Sequence, residues 1–153
     1  MTVYASLGSI SEGTVLPEEL IPAFADELAR LARLARCYSL HRKLIKEARA
    51  LDSATDDESE LHSELLTELS EALGTFAPPY AYFGAHHVDG EDFGFWLCES
   101  FDTDMSEDGV LRVTDLSAVP RAYTGEVALI SDHGNCTLFS STRGRRRLIW
   151  AVV

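Results

Sequence analysis

At Ala77-Pro78-Pro79 the hydrophobic pattern of the chain changes its period. Before it, apolar residues recur every three to four positions, the spacing of one face of a helix. After it come short aromatic or β-branched runs divided by turn residues, "YAYFG", "DFGFWLC", "VLRVTDL", "GEVALIS", "CTLFSS" and "RLIWAVV", the pattern of antiparallel strands. Two prolines in succession can continue neither a helix nor a sheet ladder. Helices first and strands second predict an α+β fold. A helical layer of about three helices (about 16–74) is followed by an antiparallel sheet of about five strands (about 80–153) that ends in a meander. One domain over 1–153 is expected, since 153 residues with 46% apolar content can bury a real core.

The helical half divides at its own punctuation. Pro22 lacks the amide that a helix interior needs, so Pro17–Ile21 is expected as a turn and the first helix is expected to begin at Pro22, with Phe24, Leu28, Leu31 and Ala35 facing inward. A second helix over about Arg36–Leu51 carries Cys37, Leu40, Leu44, Ala48 and Leu51 on its apolar stripe. Asp57 with Glu60 three residues on has the form of a helix start. A third helix then follows to Leu73, with Leu61, Leu65, Leu69 and Leu73 inward and Gly74 at its end. In the strand half, "SDHGNC" and "STRGRRR" are hairpin turns around Gly134 or Asn135 and around Gly144. Trp96 and Trp150 lie within apolar runs and are expected in the core.

Charge is the strongest compositional fact. The net charge is −12, and from Ala50 through Leu111 there are sixteen acids and neither Lys nor Arg. Such a field repels duplex nucleic acid, whose binding needs cations on the protein, and favours a basic protein surface or nucleoprotein complex as partner. No apolar run approaches the roughly 20 residues of a membrane span, and no secretory leader pattern is present. A cytoplasmic setting in a host cell, without membrane contact, is therefore expected. Cys37, Cys98 and Cys136 are too scattered for a disulfide framework and are expected as free, buried thiols.

Three stretches hold candidate chemistry. "HHVDGED" places His86, His87 and Asp89 in a turn, and Asp132-His133 lies in a later one. These residue types suit a metal or an acid/base pair, but adjacent residues on a strand face opposite ways and no H-x-x-x-H or H-E-x-x-H spacing occurs. A plain hairpin with Asp89-Gly90 at its centre explains the stretch better, so no metal and no cofactor is expected, with His86, His87, Asp89 and His133 as weak metal candidates. In the third helix Glu60, Glu64, Glu68 and Glu71 fall on one face. Arg42, Lys46 and Arg49 line the second helix at similar spacing, and an antiparallel hairpin would set Arg49 by Glu60, Lys46 by Glu64 and Arg42 by Glu68. "CESFDTDMSEDG" has no such partner within the acidic run. Glu99, Asp102, Asp104, Glu107 and Asp108 are expected there as an acidic loop, with Phe101 as its apolar anchor. The four arginines of "RGRRR" are expected to guard a sheet edge.

Several phrases together, "LPEELIPAFADEL", "YFGAHHVDGEDFGFW", "LSAVPRAYTGEVALISDHGNCTLF" and "LIWAVV", resemble a group of small, largely uncharacterised acidic proteins encoded by bacteriophages and plasmids. The resemblance implies a setting and carries no functional residue with it. Small accessory proteins of mobile elements often bind host machinery, including restriction and CRISPR defences. The leading expectation is thus a non-enzymatic acidic interaction protein of phage or plasmid origin that inhibits a host defence system by occupying a basic, nucleic-acid-binding surface. One alternative is a small metal-assisted or acid/base hydrolase that uses the His86/His87 and Asp132/His133 turns and needs both at one end of one sheet. Another is a homo-oligomeric structural or assembly protein, joined through a sheet edge or the final "RLIWAVV" strand.

Overall fold

The computed structural model describes residues 2–51 and 59–152. They form an α+β protein with four helices and two sheets, of three and four strands. The described chain divides into two compact units, one built from 2–77 and 81–97 and the other from 78–80 and 98–152. The division therefore does not follow the change of period, since one hairpin from the strand half belongs with the helices.

In the first unit α1 (Pro17–Leu34) is the central element, packed against both α2 (Tyr38–Ala50) and α3 (Ser59–Gly74), which touch each other far less. Serving two neighbours widens its buried face to Leu20, Ile21, Phe24, Ala25, Leu28, Ala29, Leu31 and Ala32. The helix runs straight through Pro22, contrary to the expected start there. A proline inside a helix costs about 3 kcal/mol, and burial of Leu20 and Ile21, at about 1.5 to 3 kcal/mol per side chain, offsets it. Pro17 takes the favoured first position, with Glu18 and Glu19 in the first turn. The helix ends on a Schellman arrangement in which the Cys37 amide donates to the Ala32 carbonyl at 2.8 Å and the Arg36 amide to Arg33 at 3.1 Å. Arg36 stands at φ +57°, where glycine is usual.

The stripe expected on α2 holds except at Leu40: Cys37, Leu44 and Leu51 pack half-buried against the core. Ile45 and Ala48 are buried whereas Leu40 is 79% exposed. In α3 the line Leu65, Leu69 and Leu73 is buried as expected and Leu61 is exposed. The Asp57 helix start lies outside the described residues. A sheet of order β1-β3-β2 completes this unit, from β1 (Gly8–Ser11), β2 (Ala81–Ala85) and β3 (Phe93–Leu97), all antiparallel. Phe24 of α1 meets Phe83 edge-on at 4.9 Å, and Phe83 meets Phe95 at 5.1 Å. β1 comes so close to β3 that a Cβ on Gly94 would lie 2.0 Å from the Gly8 carbonyl oxygen. Only glycine fits there.

The second unit holds α4 (Phe101–Glu107), β4 (Leu111–Val113), β5 (Thr124–Ile130), β6 (Cys136–Thr142) and β7 (Arg145–Val152), with sheet order β4-β5-β6-β7. β5, β6 and β7 are consecutive antiparallel neighbours, but β4 pairs parallel with β5, so this sheet is mixed. Ala128, Leu138 and Trp150 share one face by register and are buried. The β6–β7 turn has Arg143 at φ +49° and Gly144 at +83°, the two left-handed residues that a type I′ hairpin requires. In the β5–β6 turn Gly134 takes φ +81°. Trp150 is in the core as expected, whereas Trp96 is half-buried and donates its indole N–H to the Gly84 carbonyl at 3.1 Å. Cys136 is buried, and Cys37 and Cys98 are half-buried free thiols. No helix among the described residues is long and apolar enough to cross a membrane.

Candidate functional site

The histidine stretch forms a hairpin loop. Ala85 pairs with Phe93 at the ends of β2 and β3, and the His86 amide closes the loop on the Asp92 carbonyl at 2.7 Å. Asp89 accepts the Glu91 amide at 3.1 Å, and the Ser9 hydroxyl donates to the Asp92 carboxylate. Gly90 does not adopt positive φ, so the loop differs from the tight Asp-Gly turn. His86 stacks on His87 at 4.5 Å and meets Trp96 edge-on at 4.7 Å. His86 Nδ1 faces the Val88 and Asp89 amides at 3.2 and 3.4 Å. Asp132 and His133 sit exposed in the β5–β6 turn. The two turns thus belong to different sheets, which removes the premise of a joint hydrolytic centre built on one sheet. Among the described residues no group of three or more His, Cys, Asp or Glu side chains is placed to hold a metal ion.

The acidic stripe of α3 is bare. Glu60, Glu64, Glu68 and Glu71 are all exposed, and none makes an ion pair with another described residue. The expected pairing with α2 is absent because α1 is the main neighbour of both helices: Arg49 pairs instead with Asp26 of α1 at 2.9 Å. Lys43 lies 3.7 Å from Glu47 within α2.

The stretch expected as an acidic loop is largely α4, and its charges have partners. Met105 is fully buried, and Phe101, expected as an exposed anchor, is half-buried and turned edge-on to Trp150 at 6.1 Å. Asp102 pairs with Arg112 of β4 at 2.9 Å, and the same guanidinium donates to the Asp102 carbonyl and to Ser106 Oγ, both at 2.7 Å. Asp104 accepts the Ser100 hydroxyl at 2.7 Å. Glu99 and Glu107 are exposed.

Asp108, at the C-terminal end of α4, belongs to a constellation with no counterpart in the sequence pattern. The segment 78–80 is tied to β7 where the Trp150 indole N–H donates to the Pro79 carbonyl at 2.9 Å, and to Cys98, whose amide donates to the Tyr80 carbonyl at 2.8 Å. Tyr80 takes φ +64°, a conformation that costs a non-glycine residue about 1 to 2 kcal/mol. Its hydroxyl donates to Asp108 Oδ2 at 2.8 Å and lies 3.3 Å from Glu126 Oε2. Burial chiefly, and then the two carboxylates, push the Tyr80 phenol above its ordinary pKa. Tyr123, with its hydroxyl donating to the Glu126 carbonyl at 3.1 Å, stands over Gly125. Together Tyr80, Asp108, Tyr123 and Glu126 line an open cleft of about 570 Å³. Sequence reasoning reached Asp108 but not the others. No sequence signal marks Glu126, since its neighbours Val127 and Ala128 are both buried and strand alternation alone does not say which face its carboxylate takes.

Comparison of the chain with protein-family models, curated proteins and solved structures gives no match.

Proposed function

We propose that the chain is a non-enzymatic acidic interaction protein that offers carboxylates to a basic protein or nucleoprotein surface. One observation carries this: Glu60, Glu64, Glu68 and Glu71 line one exposed face of α3 without a cation from any described residue. Unpaired like charges at helical spacing repel one another, and a cationic partner relieves that repulsion as it binds. The preferred contact thereby moves from Glu99, Phe101, Asp102, Asp104, Glu107 and Asp108 towards α3, since Asp102 and Asp104 have partners within their own unit and Phe101 turns inward. A phage or plasmid setting, with a restriction or CRISPR complex as target, is the part of the proposal that rests on the resemblance alone.

The test is retention of partners from a bacterial lysate by the wild-type chain and by a variant with Glu60, Glu64, Glu68 and Glu71 all changed to Gln. A partner held at low salt, released at high salt and not held by the variant supports the proposal, because exposed charges are screened beyond about 8 Å at physiological ionic strength. Equal retention by both proteins overturns it.

A further inference from the structure

From the cleft lined by Tyr80, Asp108, Tyr123 and Glu126 we infer a receptor for the guanidinium group of one arginine side chain of the partner. This deepens the basic-partner proposal and rests on it for where the side chain comes from. The cleft has its own geometry, in a unit separate from that of α3.

Asp108 Oδ2 and Glu126 Oε2 come from different elements yet share one phenolic hydroxyl, at 2.8 and 3.3 Å. A single proton cannot neutralise two carboxylates, and no ion pair joins either to a described residue. Glu126 is also half-buried, and a carboxylate shielded from water gains most from a cation. A group that bridges the oxygens of this small span must carry positive charge and more than one donor. Guanidinium offers five N–H donors in a planar fork and stacks on aromatic faces, and two tyrosine rings line the same cleft. An open cleft of about 570 Å³ admits such a side chain from a surface without rearrangement. The two rings are held in place, Tyr80 through its backbone anchors and Tyr123 through its hydroxyl on the Glu126 carbonyl.

The test is an NMR titration of the full chain with acetyl-Gly-Arg-Gly-amide and with the same peptide carrying citrulline, which keeps the shape and removes the charge. Saturable shifts of the Gly109 and Gly125 amides with the arginine peptide, at least tenfold weaker with citrulline and at least tenfold weaker in Glu126→Gln, are the expected result. Equal responses to the two peptides, or no response at Gly109 and Gly125, overturn the inference, and the peptide comparison on the wild-type chain stands even where the variant fails to fold. Shifts confined to residues 60–71 of α3 would leave the acidic-face proposal standing and remove the cleft. Shifts confined to the cleft are the result expected here, and they leave the acidic face of α3 to its own test by partner retention.

Discussion

Two acidic helices of this chain carry their charge in opposite ways. In α3 the glutamates stand on an exposed face that none of the described cations reaches. In α4, Asp102 is held by Arg112, Asp104 by Ser100 and Asp108 by Tyr80, and the helix is anchored by Met105. Density of acid in the sequence is therefore a poor guide to free charge. What decides is whether the fold brings a donor to each carboxylate, and for α4 the donors come from β4, from Ser100 just before the helix and from the segment before β2.

If α4 is a structural element, the largest effect in the comparison belongs to its anchor. Met105→Ala should destabilise the chain by about 2 to 5 kcal/mol, as for other large core side chains, with a change in Trp150 fluorescence as Phe101 loosens; chemical denaturation measures it. A change under 1 kcal/mol would make α4 peripheral. Next comes the clamp. Arg112→Met removes an exposed ion pair and two hydrogen bonds from α4. The expected loss is about 1 to 2 kcal/mol by the usual worth of such bonds, and it should shrink in high salt only by the ion-pair share. A variant as stable as wild type would show that the α4 charges are as loosely held as those of α3.

The third test uses pH. The Tyr80 phenol has its pKa raised in the folded chain by burial first and by Asp108 and Glu126 next. An unfolded tyrosine loses its proton near pH 10. The stabilisation is thus fully present below that value and is lost as pH rises above it, because the unfolded state releases a proton that the folded state keeps. Of the five tyrosines, one should resist ionisation in an absorbance titration until the chain unfolds. Tyr80→Phe should abolish that late step and leave the alkaline limb of stability flatter. A wild-type titration in which every tyrosine ionises together would contradict the arrangement.

These contrasts also mark what the sequence made legible. The period change located helices and strands, and the two final hairpins followed from Gly134 and Gly144, because turn chemistry acts over adjacent residues. The α4 helix escaped notice because "FDTDMSE" is short and rich in residues that favour caps and loops; burial of Met105 by tertiary contacts overrides that preference. The partner of Asp102 is the first basic residue after the acidic run, Arg112, and nothing in the spacing says that its strand lies beside α4. Parallel pairing of β4 with β5 is likewise a choice among sheet partners that periodicity does not encode. The cleft was least legible: its members are 28 and 46 residues apart along the chain, and Tyr80 occupies a backbone region that nothing about tyrosine announces.

The smallest effect is the one whose sign separates the two helices. On α3, Glu60 and Glu64, and Glu64 and Glu68, are spaced i,i+4, and Glu68 and Glu71 i,i+3. Like-charge pairs at these spacings each destabilise a helix by about 0.2 to 0.5 kcal/mol. Changing all four to Gln should therefore stabilise the chain by about 0.6 to 1.5 kcal/mol at low ionic strength, and the gain should vanish in high salt, where a surface interaction is screened. Neutralising Asp102 and Asp104 should act with the opposite sign, because those carboxylates have donors to lose and lie in the first turn of α4, where negative charge favours the helix end. Denaturation midpoints of the two variants at low and high salt are sufficient to measure both. Opposite shifts at low salt confirm that α3 keeps its repulsion for a partner to relieve, while Asp102 and Asp104 have already spent their charge on the fold. A loss in both would mean that α3 finds a cation within the chain after all, and the proposed contact on that helix would fall with it; a gain in both would mean that α4 keeps free charge as well.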